Sequence, residues 1–288
     1  MQSSVVVTLA DPDYPSRLAA SPGAPLRLYR RGPLPVAEVA VAVVGARAAR
    51  GHAVAMARSI AADLARAGAV IVSGGAIGVD SAAHQGALDA GGKTVAVLAG
   101  GLETPYPERN RPLFAEILAR GGALVSAQPA GSPPLRGTFV RRNRMIAALC
   151  DVVLVIEAQP SSGSLYTAAA ALELGRVLAA APGSPGCETL LARGAALVES
   201  ADDVMAALRG EPRRPAAQLP EAGSHEAVAL AALDTQRPSS GEAVAERCGM
   251  ELREANRALT GLELEGLALL QPGQTYVRSP LAEQLMQE

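Results

Sequence analysis

Six short runs of β-branched and small apolar residues, each separated from the next by a stretch rich in alanine or punctuated for a helix, constrain this chain more tightly than any other feature. The runs are 39–44, 69–72, 94–98, 123–126, 152–156 and 177–181. Their near-continuous apolar character suits strands buried on both faces of a parallel sheet. Between them, 51–67, 80–90, 109–120, 141–149 and 164–174 are bounded by Gly, Pro or Ser and are expected to be helices. A β-α-β-α order of this kind predicts an α/β fold with an extended Rossmann-like, doubly wound, mostly parallel sheet. With aromatic residues at 2% and no tryptophan, the core has to be built from Ala, Val, Leu and Ile.

The expected domain division is a Rossmann-like domain over 1–208 with a short N-terminal extension, a linker over 209–224, and a small domain over 225–288. The linker is rich in Pro, Gly and charge and lacks periodicity. After it, 225–233, 241–248 and 251–265 look helical, the last with Leu252, Ala255, Leu259 and Leu262 on one face. Residues 267–270 and 275–278 flank a Gln-Pro-Gly turn, so a hairpin follows and a winged helix is the expected fold. Charge qualifies what such a domain would do. Residues 225–288 hold ten acids against five arginines, a balance of −5, whereas 1–224 hold 21 bases against 18 acids, a balance of +3. Phosphate binding needs the opposite sign, so this domain is expected to be a partner-binding or packing module rather than a groove reader.

Several classes are disfavoured. No apolar stretch approaches the ~20 residues of a membrane span, and the N-terminus lacks an export-type pattern. Cys150, Cys187 and Cys248 are scattered without CxxC spacing, which fits buried thiols in a reducing compartment. A cytoplasmic location is expected, with no metal or cofactor and no membrane partner.

The chemistry concentrates in one place. Phe139-Val140-Arg141-Arg142-Asn143-Arg144 packs three guanidinium groups into a segment where 117–150 carries five arginines and no acid. Guanidinium forks bind phosphate oxygens bidentately, so a nucleotide or nucleic acid is the expected ligand. The competing explanation is a solvated helix face with salt bridges elsewhere. Three further loops follow strands and open helices. Gly45-Ala46-Arg47 presents an arginine at the end of the first run. Ser73-Gly74-Gly75-Ala76-Ile77-Gly78 places small residues where a backbone must approach a ligand closely. Ser161-Ser162-Gly163-Ser164-Leu165-Tyr166-Thr167 offers hydroxyls and amides at a helix start. Asp80 is expected to cap its helix, His84 to be a structural hydrogen-bonder, and Glu157 to be a counter-ion for the arginines. There is no Ser-His-Asp order with a nucleophile elbow, no Walker motif and no GxGxxG after the first run. The site is expected to hold an anion, not to transform it.

These motifs in this order, namely DYP with 25–32, VVGAR, SGGAIGVDSAAH, AVLAGGLETPYP, FVRRNRMIAAL and SGSLYTA, resemble the DNA-processing protein A family (DprA/Smf) over about 11–208. The resemblance implies a cytoplasmic, non-enzymatic homodimer that binds single-stranded DNA and loads the RecA recombinase during natural transformation. It also implies phosphate-facing residues at Gly45, Arg47, Ser73, Gly74, Arg141, Arg142, Asn143 and Arg144, to which the reading of the loops and of the scarce aromatics adds Gly78, Phe139, Gly163, Ser164 and Thr167 as DNA-binding. The chain departs from the family pattern at Ile77, Val140 and Ala127, and in a shortened segment after Gly183. A nucleotide-binding sensor or nucleotide-cleaving enzyme of the same fold is the alternative, though its usual PGGxGTxxE stretch is absent. A duplex-reading tail is a third, weaker one.

Overall fold

A computed structural model describes residues 4–211 and 219–287, which form two compact units. The first is built on nine strands: β1 (Val5–Thr8), β2 (Arg27–Arg31), β3 (Ala40–Val44), β4 (Val70–Ser73), β5 (Thr94–Val97), β6 (Ala123–Ser126), β7 (Val152–Val155), β8 (Val177–Ala180) and β9 (Ala196–Leu197). Their order is β1-β2-β6-β5-β4-β3-β7-β8-β9. From β6 through β9 every pairing is parallel, while β2 joins β6, and β1 joins β2, antiparallel. The doubly wound, mostly parallel sheet is therefore present, and all six apolar runs are strands in it.

Eight helices accompany it: α1 (Ser16–Ala19), α2 (Gly51–Arg66), α3 (Val79–Asp89), α4 (Arg111–Ala119), α5 (Arg136–Ala148), α6 (Ser164–Glu173), α7 (Pro185–Ala192) and α8 (Ala201–Leu208). Alternate strand residues feed two cores, which is why the runs are apolar throughout. Val41, Val43, Ile71 and Leu154 pack with Ile60 and Leu64 of α2, Ala83 of α3 and Val204 of α8. Ala42, Val44, Val72, Val153 and Val155 pack on the other face with Ile146 of α5, Ala171 of α6 and Leu191 of α7. Each fully buried Val or Leu contributes about 1.5–3 kcal/mol over an exposed one, so this two-sided burial is the main cohesive term.

After β1 and β2, the chain enters the parallel part of the sheet at β3, winds outward through β4, β5 and β6, then returns to pair β7 on the other side of β3. The β3/β7 boundary is thus the point where the winding direction reverses. In open α/β sheets ligands bind beyond the carboxyl ends of the strands at such a point.

The second unit contains α9 (His225–Ala232), β10 (Ser239–Ser240), α10 (Gly241–Cys248), α11 (Leu252–Leu264), β11 (Ala268–Gln271), β12 (Thr275–Arg278) and α12 (Pro280–Gln287). Its sheet runs β10-β12-β11, and its core holds Leu230, Leu233, Val244, Leu259 and Leu262. This order is compatible with the expected winged helix. Leu252 departs from the expected buried face of α11 and is exposed, because the buried stripe is Ala255, Ala258, Leu259 and Leu262. Within the expected linker, 212–218 lies outside the described residues. Ser224 already serves the second unit, its hydroxyl accepting from the Ala227 amide at 3.1 Å as the cap of α9. Cys150 and Cys187 are buried free thiols, and Cys248 is partly buried and also free.

Candidate nucleic-acid interface

A cleft of about 470 Å³ opens at the β3/β7 boundary. Gly45, Ala46 and Arg47 after β3, Ala76 after β4, and Ser161–Ser164 after β7 all line it. Parallel strands end on the same side, so three loops distant in sequence converge there.

One wall is α5, and here helical geometry divides the arginine run. Phe139, Arg142, Asn143 and Ile146 follow i, i+3, i+4, i+7 spacing and face the cleft. Arg141, Arg144, Met145 and Ala148 line a separate cavity of about 60 Å³, whose other wall includes Pro22–Pro25 and Ala127. The four consecutive residues Arg141–Arg144 therefore do not act on one ligand atom together. The helix also begins at Arg136, five residues before the expected start, which places Phe139 on it rather than before it.

Arg142 is 7% exposed. Its Nη1 reaches the Val97 carbonyl at 3.3 Å and lies 3.9 Å from Asp80 Oδ2. Gly74 is where this pair needs space, since a Cβ there would stand 1.6 Å from Arg142 Nη1. Arg142, expected as a phosphate ligand, lines the cleft as a largely buried cation that also organises the Gly74 loop. Asp80 is likewise not a simple helix cap. It sits in the first turn of α3, accepts from the Ala76 amide at 3.2 Å and is the counter-ion of Arg142. Burial raises its pKa, while Arg142 and the Ala76 amide oppose that rise.

Ser73 is also turned inward. Its hydroxyl, fully buried, donates to the Val43 carbonyl at 2.6 Å and ties the end of β4 to β3, which leaves it no phosphate-facing role. Thr167 is buried at the back of the cleft, and Ser164 shares a 2.8 Å hydrogen bond with Ser162. Gly78 has φ +84°, and a Cβ would meet the Ala46 and Arg47 carbonyls at 2.4 and 2.6 Å. It lets the β4–α3 loop lie against the loop that presents Arg47. Asn143 donates to the Gly163 carbonyl at 2.9 Å, fixing α5 to the start of α6.

Arg47 is the group left for a ligand. It is exposed, makes no ion pair among the described residues, and holds its Cζ 5.3 Å from the Phe139 ring centroid. Arg142 Cζ lies 5.7 Å from the same ring. Phe139 is thus engaged by two cations and is a support for Arg47 more than a free stacking platform. Arg141 is exposed and unpaired among the described residues, whereas Arg144 pairs with Glu173.

Glu157 is a counter-ion, but of Arg50 rather than of the site arginines expected. Buried at the end of β7, it accepts from Arg50 Nε at 3.1 Å, and Arg50 Nη2 donates to the Gly183 carbonyl at 2.6 Å. The short segment after Gly183 opens α7 and does not line the cleft. His84 is structural too. Thr94 gives its proton to the Ile71 carbonyl, so its oxygen accepts from His84 Nδ1 at 2.7 Å. Burial, followed by the charge of Arg142, pushes this imidazole down to about 3.

Two contributors escaped the sequence reading. Tyr166 lines the cleft and is 59% exposed, so it offers the free aromatic surface that Phe139 does not. Its position inside SGSLYTA, two residues into a helix that opens at a strand end, was the available signal. Asn110, buried, donates to the Gly75 carbonyl and to Ser81 Oγ, both at 2.8 Å, and pins the glycine loop. Nothing local distinguished it.

The family model for DNA recombination-mediator protein A matches residues 5–209. This chain belongs to that family. It is 41% identical over 264 residues to a putative DNA processing protein DprA of Mycobacterium tuberculosis, covering 86% of this chain and 68% of that one. It is 37% identical to protein Smf of Escherichia coli, covering 92% and 75%. Among solved structures, DprA of Streptococcus pneumoniae superposes with TM-score 0.65 at 39% identity, covering 71% of this chain and 74% of the other. DprA of Helicobacter pylori, whose structure is described as revealing a unique single-stranded DNA binding mode, gives TM-score 0.64 at 28% identity, covering 74% and 100%. No described helix of this DprA/Smf chain is long and apolar enough to cross a membrane.

Proposed function

We propose that this DprA/Smf protein binds single-stranded DNA in the β3/β7 cleft without strong sequence preference and is not an enzyme. The observation that carries the proposal is Arg47, exposed and without an ion pair among the described residues, at the reversal point of the sheet in a chain of this family. A phosphate seated between Arg47 and the amides opening α6 would meet a guanidinium and a positive helix end together. Tyr166 would take a neighbouring base on its ring. The unpaired Arg141, on the other flank of α5, would take a phosphate further along the strand. On the same family grounds the protein acts in the cytoplasm as a homodimer that hands the strand to the RecA recombinase in natural transformation.

Competition tests this directly. A labelled 20-nucleotide strand bound to the full chain should be displaced by unlabelled single-stranded DNA and resist a large excess of mononucleotides. Efficient displacement by a mononucleotide would replace this proposal with a nucleotide sensor. Addition of RecA should accelerate filament assembly on the bound strand, and inhibition instead would remove the hand-over role.

A further inference from the structure

The amino-terminal ends of the strands, opposite the β3/β7 cleft, are roofed by two segments of chain rather than by a long helix. One is 12–17, which runs into α1, and the other is 33–37, between β2 and β3. Beneath them lies a cavity of about 450 Å³, floored by Ala40, Val70, Val72 and Val95 together with Leu149. It shares no lining residue with the β3/β7 cleft. Its size falls in the range of about 300–1,000 Å³ usual for small-molecule sites, which are mostly apolar with a few polar groups that fix orientation.

Three charged residues line this cavity, Asp13, Arg17 and Arg30. Arg17 is committed: its Nε donates to Asp151 Oδ1 at 2.8 Å, and Nη1 and Nη2 donate to the Ala37 carbonyl at 3.3 and 3.4 Å. Asp151 Oδ2 in turn accepts from the Ala40 amide at 2.8 Å, so this network ties the end of the roof to β3. Arg30 is short of acceptors. Its Nη1 donates to the Gly32 carbonyl at 3.0 Å, its Nε is shut off from water with no acceptor among the described residues, and its Nη2 has Asp13 Oδ2 at 3.4 Å. A charge-assisted pair normally closes to about 2.7–2.9 Å. The Arg30 side chain is 20% exposed and that of Asp13 73%, so a largely buried cation is held by a solvated acid. Such a contact is worth little, and a better-seated anion can replace it.

We propose that this cavity binds a small apolar monocarboxylate, whose head takes the place of Asp13 on Arg30 and whose hydrocarbon body lies on Ala40, Val70, Val72 and Val95. One under-used guanidinium beside an apolar floor calls for one anionic head on an apolar body. A nucleoside phosphate does not suit this chemistry. Pro12, Pro15, Pro33 and Pro35 all line the roof and have no N–H, so the backbone donors that cradle a phosphate are scarce there. An extended partner peptide, which docks through main-chain hydrogen bonds, meets the same shortage. The proposal concerns the opposite end of the sheet from the single-strand cleft and does not depend on it.

Titration calorimetry of the full chain with octanoate tests this. Wild type should bind it saturably at one site, and heptanoate should bind about fourfold less tightly, the worth of one buried methylene. Arg30→Gln should weaken octanoate about tenfold or more and leave the affinity for 1-octanol unchanged, because only the charged head is affected. Asp13→Asn should tighten octanoate severalfold by removing the competing carboxylate. That residue is exposed, so this gain cannot come from misfolding. Saturation with a single-stranded 20-nucleotide strand should leave octanoate affinity as it was. The proposal is overturned by a wild type that does not bind octanoate saturably, or by Arg30→Gln that keeps octanoate affinity or loses octanol in the same proportion. Failure of Asp13→Asn to tighten octanoate, or displacement of octanoate by the single strand, overturns it equally.

Discussion

Arg47 and Arg142 both approach the Phe139 ring, yet one faces solvent and the other is sealed beneath a glycine loop, and their replacement should separate binding from stability. Arg142→Ala leaves Asp80 as an unpaired buried charge, which costs about 3–5 kcal/mol and should appear as a lower urea midpoint. Arg47→Ala should leave that midpoint unchanged and weaken single-strand binding about tenfold or more, the scale of one charge-assisted hydrogen bond. Tyr166→Ala should weaken binding by about 1–3 kcal/mol if a base stacks there, and Tyr166→Phe should restore it. His84 provides a pH signature. Its folded pKa of about 3 lies below its ordinary 6.5, so its contribution is present above pH 6.5 and lost as pH falls through that window. Between pH 7.5 and 5 this removes roughly 2 kcal/mol, and denaturation of His84→Gln at both pH values should show that much less acid sensitivity. None of this inward or outward pointing was legible in the sequence, because Arg142 and Arg47 differ in burial and not in residue type.

Elements explain what could be read and what could not. Six of the seven parallel strands were legible because burial on both faces leaves a continuous apolar run, and the two-residue β9 was too short to leave one. β1 and β2 were not, since they are antiparallel additions at the edge of the sheet: Leu28 is buried between Arg27 and Tyr29, and only Val7 of β1 is buried. α7 opens with Pro-Gly-Cys, which has the appearance of a turn. The arginine run was legible as an anion feature, but its division between two flanks follows only from helical period, which the sequence already contained once 141–149 was taken as helix. Glycines in the loops offer the test at this scale. Gly163 has open space around it and ordinary backbone angles, so Gly163→Ala should keep full stability and weaken DNA binding if phosphate approaches the α6 start. Gly78→Ala should lower stability as well as DNA binding, because its Cβ would force the Arg47 loop away.

Across the whole chain, opposite charge balances, +3 over 1–224 and −5 beyond, favour the proposed single-strand binding by the first unit, where a winding reversal gathers three loops and α5 around one cleft. That account rests on Arg47 neutralising a phosphate in the cleft. The most direct measurement is the salt dependence of single-stranded oligonucleotide affinity for wild type and Arg47→Ala. Wild type should weaken steeply with salt, and the variant should bind less tightly, with a slope shallower by about 0.7 for the one phosphate it no longer neutralises. Equal affinity and equal slope in the two proteins, or a wild-type affinity indifferent to salt, would contradict it.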